Sequence, residues 1–410
     1  MKRYEKYKDS GVDWIGEIPE SWECKRLGAL LTVFSSKNHT DKPLLSITRE
    51  KGVILRDLDD ETENHNFIPD DLSGYKLIKE GQFGMNKMKA WQGSYGISDY
   101  DGIVSPAYFI FNVGEEIYPK FFHRAIRSRF YVAHFASASD GVRIGQWDLS
   151  KPRMREIPFF IPPVTEQQTI ATFLDDKTAK IDQTIAIKEK EIELLKERRQ
   201  ILIQKAVTKG LDDTVKLKDS GVDWIGEIPE HWEVRKFKFL CHITTGSKNT
   251  ENKIENGLYP FYVRSQTPER INSYTFDGEA ILTAGDGAGV GKVFHYVNEK
   301  FDFHQRVYKF SRFRDVKGKF LYYYLKNNFY NVALNGEAKS TVDSLRLPLI
   351  QNFPVSFPKI EEQIQIVSYL EDIEAKIAKA ISIKEQEIEK LKEYKTVLID
   401  NVVTGKVRVS

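Results

Sequence analysis

The chain contains one 13-residue segment twice, and this repeat constrains its fold more than any other feature. Residues 8–20 and 218–230 are identical, at an offset of 210. Similar segments also recur at 161–167 and 357–363, an offset of 196, and the similarity continues to 206–208 and 402–404. The offsets differ by 210 − 196 = 14 residues. The pattern therefore predicts a pseudo-symmetric frame that holds two different inserts of unequal length.

Composition places the chain among ordinary globular proteins of reducing compartments. It has 410 residues, 41% of them hydrophobic, and two cysteines, Cys24 and Cys241. Two cysteines allow neither a disulfide framework nor a zinc cluster, which predicts a cytoplasmic protein. The N-terminal segment has no apolar signal region, and no run approaches the ~20 apolar residues of a membrane span. We therefore expect neither export nor membrane insertion.

Charge is unevenly distributed between the two inserts. Residues 24–160 hold 19 basic and 17 acidic residues, whereas residues 235–356 hold 18 and 11. A basic block favours a phosphate-backbone partner, although a few excess lysines are common on soluble domains.

Short apolar runs broken by Gly and Asn, with one aromatic helical stretch each, predict that both inserts are copies of one α+β domain. The predicted order is a repeat motif (1–22), a first block (23–160), a helical spacer (161–217), a second repeat motif (218–232), a second block (233–356) and a distal helical spacer (357–410).

Each spacer carries a heptad pattern. Its positions are Ile181, Ile185, Lys188, Ile192, Leu195, Arg199, Leu202 and Ala206, matched in kind by Ile377, Ile381, Lys384, Ile388, Leu391, Lys395, Leu398 and Val402. Helices from about 165 to 207, and at the equivalent positions of the second copy, predict an antiparallel coiled coil. A second apolar row, Ile187, Leu194 and Ile201, faces either a partner subunit or an adjacent domain.

Pseudo-two-fold symmetry gives two further expectations. The first repeat motif should lie beside the end of the second helix, which brings the two chain termini together. Trp14, Trp22, Trp224 and Trp232 of the repeated motifs should be packing anchors rather than base-stacking residues.

Sequence motifs for catalysis are absent. The glycine-rich stretch Gly285–Lys292 has Asp286 where a phosphate-binding Walker loop needs Gly, and Val293 where it needs Ser or Thr. It fits better as a glycine-rich strand turn that another backbone, of protein or of DNA, approaches closely. No zinc-ligand spacing and no nucleophile elbow occurs. We therefore predict no catalytic and no metal-binding residues, and no cofactor bound by this chain.

What remains is a set of basic, polar and aromatic side chains in Gly-rich loops of both blocks. Arg and Gln form paired hydrogen bonds with guanine and adenine edges, and Lys neutralises phosphate. The predicted DNA-binding residues of the first block are Lys87, Lys89, Trp91, Gln92, Ser94, Arg143, Gln146 and Trp147. Those of the second block are Arg264, Gln266, Lys292, His304, Gln305, Arg306, Lys339, Ser340 and Thr341.

The repeated motifs resemble a known family. The pattern Trp-Ile-Gly-Glu-Ile-Pro-Glu-x-Trp-Glu, at 14–23 and 224–233, is similar to the hallmark of type I restriction-modification specificity subunits. Three stretches resemble other parts of that family: Pro-Pro-Val-Thr-Glu-Gln-Gln at 162–168, residues 88–93 with 102–108, and residues 304–308. One departure is Lys359, where the first copy has Pro163.

The resemblance implies a DNA-specificity subunit without catalysis. Each block would be a target-recognition domain for one half of a split, asymmetric DNA target, and the helices would set the gap. Two methyltransferase subunits carrying S-adenosylmethionine would dock on the frame, at Glu166, Gln167, Glu362 and Gln363. Two restriction subunits would use ATP and Mg. The alternatives are a fused methylation or restriction enzyme, and a coiled-coil adaptor that does not bind DNA.

Overall fold

The computed structural model describes residues 2–13, 15–57, 68–143, 146–335 and 345–409. The chain forms two compact units: unit 1 comprises Met1–Lys188 with Gln386–Ser410, and unit 2 comprises Glu189–Glu385. Each unit thus takes the beginning of one long helix and the end of the other.

The repeated segment forms the same pair of antiparallel strands in both copies. Strands β1 (Tyr7–Asp9) and β2 (Glu17–Pro19) pair antiparallel in the first copy. An Asx turn, in which Asp9 accepts the amide hydrogen of Gly11, begins the connecting loop. Gly11 and Gly16 adopt φ of 71° and 70°, a left-handed conformation that favours glycine.

The first block is an α+β domain in unit 1. Its elements are β3 (Glu23–Arg26), α1 (Leu27–Leu30), β4 (Leu31–Phe34), β5 (Leu45–Thr48), β6 (Gly52–Leu55), β7 (Lys76–Ile78), β8 (Phe83–Asn86), β9 (Tyr95–Ile97), β10 (Gly102–Val104), β11 (Tyr108–Val113), α2 (Pro119–Ile126), α3 (Arg129–Ser137), β12 (Ser139–Arg143), β13 (Gln146–Leu149), α4 (Lys151–Glu156) and β14 (Pro158–Ile161). Its main sheet has the order β4-β11-β8-β9.

Helix α5 (Val164–Lys209) follows the first block, and the second copy of the repeated segment forms β15 (Leu217–Asp219) and β16 (Glu227–Pro229). The second block then contributes β17 (Glu233–Lys236), β18 (His242–Thr245), β19 (Tyr259–Tyr262), β20 (Glu269–Ile271), β21 (Phe276–Ala284), β22 (Phe294–Phe303), β23 (Val307–Ser311), α6 (Gly318–Asn335), α7 (Leu347–Asn352) and β24 (Pro354–Phe357), before the final helix α8 (Ile360–Val403). Its sheet has the order β18-β23-β21-β22-β19-β20.

The first four strands of this second sheet correspond in order to β4, β11, β8 and β9. Each block is also closed at its base by a pair of terminal strands, β3 with β14 and β17 with β24. The two ends of each block therefore lie side by side, which lets blocks of different length occupy the same frame.

The helices pair antiparallel within each unit, as the heptads predict. In unit 1, Lys188 contacts Glu387 at 2.7 Å and Lys395 contacts Asp182 at 2.6 Å. In unit 2, Lys384 forms an ion pair with Glu191 at 2.6 Å. Three of the four basic interruptions of the heptad pattern, Lys188, Lys384 and Lys395, thus meet acidic residues of the facing helix. Apolar heptad positions such as Ile192 and Ile388 are buried.

The motif tryptophans that the structure describes are packing anchors, as predicted. Trp22 and Trp232 are fully buried. Trp224 stacks on Phe353 with ring centroids 5.4 Å apart. Trp14 lies outside the described residues.

The ring closure expected from the pseudo-symmetry is present in unit 1. Lys2 and Arg408 form an antiparallel bridge, and the Tyr7 hydroxyl donates to the carbonyl oxygen of Gly405 at 3.2 Å. The first repeat motif thus lies beside the end of α8, as the second motif follows α5 along the chain. Within the described parts of the chain, no helix is both long and apolar enough to cross a membrane.

Candidate nucleic-acid interface

Both blocks place their polar loops at the same point of the fold. The first polar loop, residues 87–94, connects β8 and β9, and the glycine loop, residues 285–293, connects β21 and β22. Because these hairpins occupy equivalent positions in the two sheets, the two loops are structural counterparts despite their different sequences.

The first polar loop meets the β12–β13 hairpin. Trp91, on a one-turn 3-10 helix, stacks on Trp147 with ring centroids 5.2 Å apart and an interplanar angle of 23°. Lys87 Nζ lies 3.2 Å from Asp148 Oδ1. The structure therefore brings Trp147 next to Lys87 and Trp91, which the sequence placed in a different loop. A stacked pair of Trp rings presents less free ring surface than two open rings.

The other predicted residues of the first block have mixed environments. Lys89 is exposed and Gln92 is half-buried, whereas Ser94 is buried at 2% exposure. Arg143 and Gln146 face each other in the register of the β12–β13 hairpin. These two therefore lie on the same hairpin as Trp147.

Lysines that the sequence analysis did not select accompany Lys87. Burial lowers the pKa of Lys76, and the positive charges of Lys151, Lys37 and Lys87 lower it further. Lys76 Nζ donates to the carbonyl oxygen of Tyr108 at 2.7 Å, and Lys151 Nζ lies 4.0 Å from the centre of the Phe109 ring. We call these four residues, Lys37, Lys76, Lys87 and Lys151, the lysine cluster.

The glycine loop of the second block carries an acidic residue between two arginines. Arg264 Nη1 donates to Asp286 Oδ1 at 2.9 Å, and Arg306 Nη1 donates to Asp286 Oδ2. Burial alone would raise the pKa of Asp286, but the hydrogen bonds from the two guanidinium groups lower it overall. The site thus contains a carboxylate that bridges two predicted DNA-binding residues.

The approaching backbone that the glycines were expected to accommodate is the chain's own. A Cβ atom at Gly285 would lie 2.9 Å from the carbonyl oxygen of Arg306, and one at Gly289 would lie 2.5 Å from that of Arg264. The loop therefore needs glycine at both positions to contact the strands that bear the two arginines.

Most other predicted residues of the second block lie near this loop. Gln266 Nε2 donates to the carbonyl oxygen of Lys292 at 3.1 Å. His304 is buried, and its Nδ1 accepts the amide hydrogen of Arg306, while Gln305 is exposed. Lys339, Ser340 and Thr341 lie outside the described residues.

Lys248 is a further cation near this site that the sequence analysis missed. Its carbonyl oxygen accepts the amide hydrogen of Gln305 at 2.8 Å. The signal was available, because Ser-Lys-Asn occurs at 36–38 and at 247–249, in both cases shortly after the first strand of the main sheet. Its offset of 211 departs by one residue from the main repeat, and the match is only three residues long.

The glutamates and glutamines predicted to bind partners have defined intramolecular contacts. Gln167 accepts the amide hydrogen of Tyr118 and donates to the carbonyl oxygens of Glu116 and Pro162 at 2.9 Å. Gln363 makes the equivalent three bonds, to Lys317, Asp315 and Pro358. Both amides are fully buried, so the structure explains these glutamines without a partner.

Glu166 and Glu362 have different neighbours in the two units. Glu166 accepts a hydrogen bond from the Tyr4 hydroxyl at 2.6 Å. Glu362 lies 2.7 Å from His231 Nε2 and accepts the indole hydrogen of Trp232 at 3.1 Å. Both lie in the first turn of a long helix, where the helix dipole stabilises a carboxylate.

Among the described residues, no group of three or more His, Cys, Asp or Glu side chains is arranged to hold a metal ion. Both cysteines are free thiols, Cys24 exposed and Cys241 buried. Burial raises the pKa of Cys241, which keeps its thiol protonated and unreactive.

Comparison with known proteins gives one consistent result. A family model described as "Type I restriction modification DNA specificity domain" matches residues 229–393. The specificity subunit of the type I restriction enzyme MjaVIII from Methanocaldococcus jannaschii is 26% identical, over 96% of this chain and 94% of that protein. The EcoDI specificity subunit from Escherichia coli is 28% identical over 44% of this chain and 39% of its own length.

Solved structures share the fold. A chain from a study of complex assembly and conformational transition of the type I R-M system gives a TM-score of 0.72 at 16% identity, covering 95% of this chain and 99% of its own. The HsdS subunit from Thermoanaerobacter tengcongensis gives 0.60 at 17% identity, covering 95% and 98%.

The fold defines a protein with two equivalent blocks, each built on the ends of paired long helices and each presenting its own polar loop. Over nearly its whole length, the chain is similar to specificity subunits of type I restriction-modification enzymes.

Proposed function

We propose that this chain gives a type I restriction-modification complex its DNA sequence specificity. The first block, residues 23–160, recognises one half of a split target and the second block, residues 233–356, recognises the other half. The observation that carries this proposal is the pair of equivalent loops with different side chains. Since one loop presents Lys87 and Trp91 and the other presents Asp286 between arginines, the two half-sites differ in sequence.

The charged groups divide into two roles. The lysine cluster of the first block supplies phosphate contacts, because lysine acts as a point charge with little base preference. Arg264, Arg306 and Gln305 have donors suited to base edges in the major groove. Arg143 and Lys339 correspond in sequence at the 196-residue offset of the repeat, and Arg143, Gln146, Lys339, Ser340 and Thr341 take part in the DNA contacts of their blocks.

The frame has the further role of docking partners and setting the gap. Two methyltransferase subunits, carrying S-adenosylmethionine, bind near Glu166 in unit 1 and near Glu362 in unit 2, and two restriction subunits add ATP- and Mg-dependent cleavage. Support comes from the repetition of the frame, which offers two equivalent places. Apolar side chains of α5, Leu194 and Ile201 in unit 2, are more than half exposed and suit such a partner.

The test is modification-sensitive sequencing of DNA from cells that co-express this chain and its methyltransferase subunit. We expect a split motif with methyladenine in both halves. Arg143→Ala should relax the first half only, whereas Arg26→Ala, which removes an exposed ion pair with Glu156 at the base of the same block, should change nothing. Equal relaxation of both halves would contradict separate recognition by the two blocks. An assembled complex that adds no methylation would favour the adaptor alternative.

A further inference from the structure

We propose that Asp286 is a positioning residue that holds Arg264 and Arg306 side by side to recognise guanine in the second half-site. This inference rests on the proposed function of the second block and adds a residue and a base to it. Neither the repeat pattern nor the family motifs point to this aspartate.

Asp286 joins two arginines that come from separate segments of the chain. Arg264 lies two residues beyond β19 and Arg306 immediately precedes β23, so the two arginines come from different parts of the sheet. Asp286 contacts both with one carboxylate, one oxygen to each guanidinium group. A single side chain thus fixes the separation of two groups that the chain itself does not connect closely.

Asp286 and the two arginines differ in solvent exposure. The Asp286 side chain is only 10% exposed, whereas those of Arg264 and Arg306 are 44% and 61% exposed. A guanidinium group has five donors, and the contact with Asp286 uses one nitrogen of each arginine. The carboxylate therefore lies beneath the two arginines, and their remaining donors are available to a ligand.

The glycine loop also fixes the backbones of both arginines. The amide of Gly285 donates to the carbonyl oxygen of Arg306 at 2.8 Å, and Gly289 packs against that of Arg264. Backbone and side-chain contacts from the same loop restrict the rotamers of both arginines. Preorganisation of this kind lowers the entropy lost on binding.

Electrostatics favour the same conclusion. Two guanidinium groups held close together repel each other, and the carboxylate offsets this repulsion. The bidentate fork of arginine matches the O6 and N7 acceptors of guanine. Two such forks held in fixed positions suit guanine in the major groove of the second half-site.

The experiment uses the complex of the full chain with its methyltransferase subunit. Asp286→Asn keeps the size of the side chain but removes the charge that holds the arginines. We expect the sequencing motif to lose its preference at guanine positions of the second half, and binding discrimination against a substituted guanine to fall roughly tenfold. The first half of the motif should be unchanged.

The matched control is Asp315→Asn. Asp315 forms an ion pair with Arg235 at 2.7 Å in the same unit, with its side chain 64% exposed, so the change is chemically the same. This variant should retain the wild-type motif. If Asp286→Asn also retains the wild-type motif, or relaxes both halves of the motif equally, the inference is overturned.

A second variant tests the inference if Asp286→Asn does not fold. Arg306→Lys retains a cation beside Asp286 but removes the bidentate fork. It should lose guanine discrimination in the second half, and an unchanged motif would overturn the inference. A wild-type split motif without guanine in its second half would overturn the inference alone. A wild-type complex without any split motif would overturn the proposed function with it.

Discussion

His123 shows how the environment of one side chain creates a pH dependence. It lies in α2, and its Nδ1 accepts the amide hydrogen of Ile97 at 3.2 Å. Burial, with the positive charges of Arg127 and Arg124, lowers the pKa of His123 from 6.5 to about 4. The folded first block therefore holds this imidazole in its neutral form.

Unit 1 should lose stability in mild acid because of this histidine. Since the folded-state pKa is below the unfolded one, the contribution is fully present above pH 6.5 and is lost as the pH falls towards 4. At pH 5 we expect the free energy of unfolding to be about 2 kcal/mol lower than at pH 7.5.

His123→Gln should remove most of this pH dependence, because glutamine accepts the same hydrogen bond without titrating in this range. Urea titrations at different pH values, followed by hydrogen exchange of the peptide that contains β9, would measure how the free energy of unfolding of unit 1 depends on pH. The exposed His242 of the second block provides a control, as His242→Gln. A wild-type slope retained in His123→Gln would assign the pH dependence to other groups.

The sequence selected three residues of the first block that the structure brings close together. Lys87, Trp91 and Trp147 were selected as basic or aromatic residues of Gly-rich loops, and they are in mutual proximity. Asp286 was treated only as a departure from a phosphate-loop pattern, because its role depends on Arg264 and Arg306, which are distant along the chain. Lys37 and Lys76 were missed for the same reason, since their grouping is set by sheet packing.

At the scale of elements, one glutamine near the start of each long helix joins that helix to its block. Gln167 satisfies one amide and two carbonyl groups in unit 1, and Gln363 does so in unit 2 with the same geometry. The heptads predicted the long helices but not this interaction, because Tyr118 and Lys317 lie 49 and 46 residues upstream of the glutamines that they contact.

Gln167→Ala should therefore loosen unit 1 selectively. It leaves three buried or partly buried backbone groups without partners, at a cost of about 1–3 kcal/mol. Hydrogen exchange of the segment around Tyr118 should accelerate, with the segment around Lys317 unaffected. Gln363→Ala is the matched variant and should show the opposite distribution. If either variant accelerates hydrogen exchange in both segments, the contacts of each glutamine stabilise more than their own unit.

The helices were the part of the fold most accessible from the sequence. The heptads predicted a helix from about 165 to 207, and α5 spans Val164–Lys209. The blocks were predicted as α+β but not in strand order, because their strands are three to ten residues long and pair across large sequence separations.

At the scale of the whole molecule, the repeat allows one heptad to be deleted from each long helix at matching positions. The ion pairs Lys188–Glu387 and Lys384–Glu191 define the antiparallel register, in which residues 189–195 face residues 380–386. Deleting these two heptads together keeps the apolar heptad positions and the ion pair Lys188–Glu387. Each helix would become about 10 Å shorter at ~1.5 Å per residue.

If the helices set the gap, this double deletion should shorten it by up to about three base pairs, at ~3.4 Å per base pair along one strand. Both half-site sequences should stay the same, because neither block is altered. Sequencing of modified DNA from co-expressing cells measures gap and half-sites together. A single deletion, 189–195 alone, is the control, since it breaks the register and should abolish methylation. If the double deletion changes the half-site sequences and leaves the gap constant, the helices do not set the gap.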